Sequence, residues 1–182
     1  MRQRHSREQI LDGALEVALA DGVSQVTFGR VGRRLGISDR TVVYYFPTKE
    51  DLVADVLLAV GARLQTTLAA ALTSRAPDHV ALARSLWPLL TTSESDPVFS
   101  LFFEATGLAA AGRRPYDEVV PLLVDAWIAW AAGMLEGTPV RRRAGAGAAV
   151  ALLDGLLLLR QLAGPATSER AARALGVAGS AR

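Results

Sequence analysis

Apolar residues recur at intervals of three and four through most of the chain, which is the spacing of helices with one buried face. Ser6 and Gln9 form a capping box before the first such segment, and Asp21 with Gly22 supplies its end. This pattern predicts a first helix between them. Its expected apolar stripe consists of Ile10, Leu11, Ala14, Val17 and Ala18.

Two short helices are predicted next, each opened by a hydroxyl side chain and ended by a helix breaker. Thr27 caps the first and Gly36 closes it, while Ser38 caps the second and Pro47 ends it. A tight turn with glycine between two short helices, covered by a third helix, is typical of a helix-turn-helix module, whose second helix enters the major groove of DNA. The expected core positions of the module are Phe28, Val31, Leu35, Ile37, Val42 and Phe46.

Further helices are predicted over the remainder, where proline and glycine separate segments rich in alanine and leucine. A fourth helix capped by Thr48 runs to about Ser74, and Pro121 is expected to start or kink a later one. The other helices are expected at about 78–91, 97–111, 115–136, 140–163 and 168–175. The pattern therefore predicts an all-α protein of about nine helices. A three-helix N-terminal helix-turn-helix domain spans 1–52, with its recognition helix at about 38–45, and a C-terminal helical bundle spans 53–182.

Composition narrows the possible functions. The chain has no cysteine, which excludes disulfides, thiolate metal sites and a cysteine nucleophile. Its two histidines, His5 and His79, form no metal-ligand motif, so we expect no metal, no cofactor and no enzymatic activity. No secretory signal is recognisable, and the most apolar run, Ala144 to Leu159, is too short for a membrane span and contains Asp154. These features favour a cytoplasmic protein without a membrane partner.

The net charge of +2 is too small to indicate nucleic-acid binding, but its distribution is uneven. Residues 1–49 contain eight basic side chains, Arg2 and Arg4 among them, against five acidic ones. Within the second short helix, Arg40 has the forked donor geometry that reads guanine. Hydroxyl groups beside it suit phosphate oxygens. These hydroxyl side chains are Ser38, Thr41, Tyr44 and Tyr45.

The stretch from Gly36 to Leu52, GISDRTVVYYFPTKEDL, resembles the TetR (tetracycline-repressor-like) family of transcriptional regulators. The resemblance covers about the first third of the chain. Val43 departs from the family pattern, which usually has an aromatic residue there, so a DNA contact is missing or is replaced by apolar packing. The resemblance implies phosphate contacts at Thr27, Tyr44, Tyr45 and Lys49, and base contacts at Ser38, Asp39, Arg40 and Thr41. Asp39 has a structural alternative, since a carboxylate in the first turn satisfies the helix dipole.

A homodimer is expected, because a single helix-turn-helix covers few base pairs. The segment from Ala144 to Leu162 is apolar on nearly all sides, and the resemblance implies pairing through the last two long helices. Small residues there would let a partner helix approach closely. The alternative is the core helix of a monomer. The expected interface residues are Ala148, Ala151, Leu152, Gly155, Leu156 and Leu159.

The resemblance also implies a small-molecule effector bound in the helical bundle, where pockets between helices are common. Glu104 and Asp125 are possible polar anchors. An apolar or aromatic ligand would fit the candidate wall, although each wall residue could equally serve core packing. The candidate pocket residues are Trp87, Phe99, Phe102, Phe103, Glu104, Trp127, Trp130 and Met134.

We therefore expect a repressor that releases a double-stranded operator when its effector binds. Two alternatives remain open at the level of the sequence. One is a DNA-binding regulator, repressor or activator, that answers to a protein partner or to its own concentration. The other is a helical-bundle enzyme, although no residue pattern brings candidate acid and base groups together.

Overall fold

The computed structural model describes residues 5–179, so Arg2 and Arg4 lie outside the described residues. This range contains nine α-helices, one 3₁₀ turn and no strand, apart from an isolated bridge between Ala76 and Leu135. The predicted all-α fold is confirmed. The α-helices are α1 (Arg7–Asp21), α2 (Phe28–Leu35), α3 (Asp39–Tyr45), α4 (Lys49–Ala71), α5 (His79–Leu90), α6 (Asp96–Ala110), α7 (Tyr116–Gly133), α8 (Pro139–Ala163) and α9 (Pro165–Ala174).

The capping box predicted for α1 forms in full. The Ser6 hydroxyl accepts a hydrogen bond from the Gln9 backbone N–H at 3.2 Å, and the Gln9 side chain accepts one from the Ser6 N–H at 2.9 Å. At the other end of α1, Gly22 has a backbone φ of 98°, a conformation that residues other than glycine rarely adopt. The 3₁₀ turn Val23–Gln25 comes directly after Gly22 and leads into α2.

Proline occurs at the first position of one later helix and in the interior of another. The last helix begins at Pro165 rather than at Ser168, because proline is well suited to the first helical position. Ser168 is instead buried, and its hydroxyl donates to the Leu156 carbonyl oxygen at 2.6 Å. α7 begins at Tyr116, close to the predicted start at 115, and continues through Pro121, so the alternative start at that proline does not occur.

The chain forms two compact units. Unit 1 comprises the described residues up to Arg63 together with Ser100–Pro121, and unit 2 comprises Leu64–Phe99 and the described residues from Leu122 onward. The division at residue 52 between a DNA-binding and a helical domain stays a prediction about function. α4, α6 and α7 each contribute residues to both units.

Unit 1 contains the core of the three N-terminal helices. Val31, Val42 and Phe46 are fully buried as expected, whereas Phe28, Leu35 and Ile37 are half-buried. The Arg7 guanidinium lies 4.5 Å from the centroid of the Phe46 ring and pairs with Asp55 on α4. This arrangement fixes the first helix against the fourth within the unit.

Unit 2 contains α5, α8 and α9, and the side chains that these helices bury against one another include Leu82, Leu86, Leu153 and Leu157. α8 is 25 residues long and therefore extends well beyond the apolar run seen in the sequence. By length and composition, α4 and α8 could each cross a membrane, with mean hydropathies of 1.4 and 1.5. Core helices of soluble proteins share this length and composition.

Candidate nucleic-acid interface

The turn between α2 and α3 depends on glycine at two positions. Gly36 adopts the left-handed conformation, with φ 68° and ψ 31°, and ends α2. The Ile37 N–H then donates to the Gly32 carbonyl oxygen at 2.9 Å. A Cβ atom at Gly32 would lie 2.8 Å from the Ile37 carbonyl oxygen, so a side chain there would push the turn apart.

Two hydroxyl groups meet at the start of α3, as predicted. The Ser38 Oγ accepts from the Thr41 N–H at 3.3 Å, and the two side-chain oxygens are 3.0 Å apart. Ser38 is exposed and Thr41 is half-buried. Because the first amides of a helix carry partial positive charge, this end of α3 can accept an anionic phosphate.

Arg40 has an exposed side chain for which the described residues offer no ion-pair partner, unlike Arg30 and Arg34 of α2. Arg30 pairs with Asp21 at 2.9 Å, and Arg34 pairs with Glu16 at 2.7 Å. The Arg40 guanidinium therefore has all its donors available for a ligand.

Asp39 is exposed like its neighbour Arg40, but its carboxylate lies close to α2. Its Oδ1 would be 3.2 Å from a Cβ atom at Gly32, and its Oδ2 would be 3.4 Å from one at Gly29. The carboxylate is thus turned towards α2, where two glycines leave it room. This orientation favours the structural alternative for Asp39 over the base contact that the resemblance implies.

The two tyrosines at the end of α3 have different environments. The Tyr45 hydroxyl donates to the His5 carbonyl oxygen at 2.6 Å, and its ring is half-buried. Tyr44 is 79% exposed and meets Tyr45 edge to face, with ring centroids 5.0 Å apart. Val43 is also exposed and presents an apolar side chain at the position where the family pattern noted from the sequence has an aromatic residue.

The two remaining predicted phosphate contacts flank the 3₁₀ turn. Thr27 caps α2 by accepting from the Arg30 N–H at 3.2 Å. Lys49 is exposed, and its Nζ donates to the Ser24 carbonyl oxygen at 3.4 Å, a long bond that an anion can replace. Thr48 caps α4 beside it by accepting from the Asp51 N–H at 3.0 Å.

The predicted effector pocket is less well supported than the DNA-binding surface. Within unit 2, Trp87 and Phe99 are buried, and the Trp87 indole N–H donates to Glu169 at 2.9 Å. Trp127 and Trp130 are half-buried and meet edge to face at 5.4 Å. Met134 on the same unit is also half-buried.

The remaining pocket candidates belong to unit 1 or serve other contacts. The Phe102 and Phe103 rings lie 5.5 Å apart in unit 1. The structure gives Glu104 a different role from a pocket anchor, since its carboxylate accepts from two backbone N–H groups of the 3₁₀ turn. Asp125 is exposed and lies 3.6 Å from Arg143.

Two of the cavities among the described residues are lined by side chains other than the predicted aromatic wall. One, of about 650 Å³ in unit 1, is lined largely by charged side chains of α1 and α2 such as Glu16 and Arg33. The other, of about 390 Å³ in unit 2, includes His79, Glu136 and Arg141. Among the described residues, no group of three or more histidine, aspartate or glutamate side chains could hold a metal ion.

Within residues 5–179, α8 leaves one apolar face exposed. From Ala144 to Leu162 the exposed positions alternate in steps of four and three, which is the heptad spacing of paired helices. Leu156 is only 3% exposed, so the structure places it in the core of unit 2 and not on this face. Leu152 and Leu159 are half-buried at its margin. The exposed residues of the face are Ala144, Ala148, Ala151, Gly155, Leu158 and Leu162.

The short helices, the left-handed glycine and the exposed polar side of α3 together define a helix-turn-helix fold of the DNA-binding class. Residues 10–56 match the family model of bacterial regulatory proteins, tetR family. The N-terminal part of the chain is thus similar to the DNA-binding segment of that family, and the resemblance predicted from the sequence is confirmed.

Solved structures extend the likeness to nearly the whole chain. A transcriptional regulator from Rhodococcus sp. Rha1 shares 24% identity and a TM-score of 0.71, with 95% of this chain and 93% of the other covered. A TetR transcriptional regulator from Legionella pneumophila shares 20% identity over 97% of each chain, with a TM-score of 0.68. The multidrug binding protein EbrR complexed with proflavin shares 25% identity, covers 95% and 98% of the two chains, and has a TM-score of 0.67. No protein with a curated description matches the chain significantly.

The first two of these proteins are regulators of transcription, and the matching family model describes regulatory proteins rather than enzymes. The chain accordingly shares a helix-turn-helix segment with this family and an all-α fold with these solved structures. The helical-bundle enzyme considered from the sequence is set aside on this ground.

Proposed function

We propose that this chain is a cytoplasmic, homodimeric repressor that binds a double-stranded operator through α3 and releases it when a small apolar or aromatic molecule binds. The observation that carries the proposal is the outer surface of α3. There an unpaired arginine, Arg40, stands beside the hydroxyls of Ser38 and Thr41 and the exposed ring of Tyr44.

Two kinds of DNA contact are proposed on this surface. Arg40 would read a guanine edge, with Ser38 and Thr41 beside it. Tyr44 and Lys49 would hold phosphate oxygens on either side, which orients the protein without selecting a sequence. Thr27 contributes as the cap of α2, and Tyr45 contributes by fixing its neighbours, because its hydroxyl is already bonded to His5.

The uncovered face of α8 supports the homodimer. A heptad row of small residues followed by Leu158 and Leu162 lets two copies of α8 pack closely about a two-fold axis. The two copies of α3 would then each contact one half-site of an operator. Exposure of such a row to water would be unfavourable in a monomer.

Relatives with ligands support a small-molecule effector. EbrR is solved with proflavin and with malachite green, and a regulator from Saccharomonospora viridis is solved with choline. The first two are aromatic cations and the third is a quaternary ammonium ion, a class that aromatic side chains bind through their ring faces. In this chain the half-buried Trp127 and Trp130 in unit 2 offer such faces.

Selection from a random pool of duplexes, followed by binding titrations at two salt concentrations, tests the proposal. We expect wild-type protein to enrich a two-fold-symmetric sequence. Arg40→Ala should lose about 1 to 3 kcal/mol of discrimination between that sequence and others. Lys49→Ala should weaken binding to all duplexes alike and lower the salt slope by about one. Arg170→Ala, on the exposed surface of α9, is the control and should change neither quantity.

Enrichment of no sequence by the wild type would overturn the proposal. A regulator without a small-molecule effector is the second candidate, since two of the predicted pocket residues, Trp87 and Glu104, are already bonded to Glu169 and to the 3₁₀ turn. Addition of proflavin to the protein–DNA complex distinguishes the two, because release of DNA supports a small-molecule effector. Release that persists in a variant lacking Trp127 and Trp130 would place the ligand elsewhere.

A further inference from the structure

We infer that Glu104 on α6 is a positioning residue for DNA binding: its carboxylate holds the 3₁₀ turn Val23–Gln25, which places α2 with its cap Thr27 and the proposed phosphate contact Lys49. The inference rests on the proposed DNA-binding function and adds to it a residue far from α3 in sequence. Every contact involved lies within unit 1.

The carboxylate binds two successive backbone amides. Glu104 Oε2 accepts from the Val23 N–H at 2.8 Å, and Oε1 accepts from the Ser24 N–H at 3.1 Å. The first amides of a helical turn have no acceptor within the turn itself. Glu104 therefore supplies, from 80 residues away in the chain, the cap that the local sequence lacks.

Gly22 is shaped for the approach of this carboxylate. A Cβ atom at Gly22 would lie 2.7 Å from Glu104 Oε2, closer than such atoms come in proteins. Its φ of 98° is also strained for any other residue. Gly22 thus ends α1 and also leaves the space that the Glu104 carboxylate occupies.

The charge of Glu104 acts on a neighbouring side chain as well. The pKa of Tyr116 is raised, first by burial of its phenol and then by the negative charge of Glu104. Glu104 is itself half-buried. A partly buried carboxylate bonded to two amides forms charge-assisted hydrogen bonds, which are stronger than neutral ones.

The turn connects this carboxylate to the proposed DNA surface. The Ser24 carbonyl oxygen accepts from Lys49 Nζ at 3.4 Å, and Thr27, the cap of α2, lies two residues beyond the turn. Val23 and Val26 are both fully buried, so the turn transmits its position to the start of α2. Without the carboxylate, two amides lose their acceptor and the turn can rotate. Thr27 and Lys49 would then lose their fixed separation.

Substitution of Glu104 tests the inference. Glu104→Gln keeps one accepting oxygen but loses the charge and one amide bond, and we expect the Kd for the selected duplex to rise about tenfold. The preferred sequence should not change, because Arg40 is untouched. Gly22→Ala should have a similar effect by displacing the carboxylate. Glu118→Gln is the matched control, since it removes an exposed carboxylate of the same unit that pairs with Arg114.

Amide hydrogen exchange gives a readout that general destabilisation would not reproduce. In Glu104→Gln, exchange at Val23 and Ser24 should accelerate at least tenfold while exchange at the α1 core residues Ile10 and Ala14 stays unchanged. Equal DNA affinity in the folded Glu104→Gln variant, or unchanged exchange at both amides, would overturn the inference. If the wild type binds no DNA, the proposed function fails, and the exchange measurement still decides whether Glu104 holds the turn.

Discussion

α3 and α8 both carry side chains that their own unit leaves uncovered, but the two surfaces differ in chemistry. α3 exposes hydroxyls, an unpaired arginine and the Tyr44 ring. α8 exposes a row of small residues and leucines at heptad spacing. A polar surface of this kind can remain in water until DNA binds, whereas the apolar row is stable only when another apolar surface covers it. In the proposed homodimer, α8 would therefore be covered permanently and α3 reversibly.

The largest effect is therefore expected at the α8 face. Ala151→Glu places a carboxylate in the middle of the row, and a two-fold axis would bring two such charges together. An unpaired charge in an interface costs about 3 to 5 kcal/mol, so the dimer dissociation constant should rise by at least about a hundredfold. Sedimentation velocity at micromolar concentration measures this change.

Ala174→Glu introduces the same side chain at an exposed position of α9 and serves as the control. It should leave the sedimentation coefficient unchanged. A wild type that sediments as a monomer would contradict the distinction between α3 and α8, because the apolar row of α8 would then be stable while exposed to water. A dimer that persists in Ala151→Glu would place the interface on another surface.

A second effect, intermediate in size, is expected at Asp154, also on α8. Burial raises the pKa of this carboxyl from 3.8 to about 6. Since the folded-state pKa lies above the unfolded one, the stabilisation is present below about pH 4 and is lost as the pH rises through 6. Asp154→Asn cannot ionise, so it should exceed the wild type by about 1 to 3 kcal/mol at pH 7 and match it near pH 4.

Urea denaturation between pH 4 and 7.5 checks this prediction, at one protein concentration because dimerisation also contributes to stability. Asp125→Asn is the control, since Asp125 is exposed and lies near Arg143. Parallel stability curves for wild type and Asp154→Asn would contradict the sign assigned here. They would mean that Asp154 is solvated in solution.

The same contrast explains how far the sequence predicts this protein. The caps at Ser6, Thr27 and Ser38, and the turn at Gly36, depend on neighbours within four residues, so the helices of the DNA-binding module could be located from spacing alone. The contact between Glu104 and the 3₁₀ turn joins residues about 80 apart in the chain, and no local pattern indicates it.

Unit 2 shows a second reason why the sequence does not predict every contact. Leu156 and Leu158 are identical in type and two positions apart, yet one is buried in unit 2 and the other is exposed on the α8 face. In a helix that is apolar on nearly all sides, periodicity does not distinguish the face packed in the chain from the face left open. A signal was available in the small residues alone, since Ala144, Ala148 and Ala151 all lie on the exposed row.

The smallest expected effect separates the two tyrosines of α3, which the sequence treats alike. Tyr44→Phe removes an open hydroxyl, and loss of one phosphate hydrogen bond should weaken binding to all duplexes by about 1 kcal/mol without altering protein stability. Tyr45→Phe removes the donor to His5, so the free energy of unfolding should fall by about 1 kcal/mol and DNA affinity should change less. Paired urea denaturations and DNA titrations distinguish these outcomes. A different outcome is that Tyr45→Phe weakens DNA binding more than Tyr44→Phe at unchanged stability. The Tyr45 hydroxyl would then exchange the His5 carbonyl oxygen for a phosphate oxygen in the complex. DNA binding would in that case change the hydrogen bonds of α3 rather than use the free conformation as it stands.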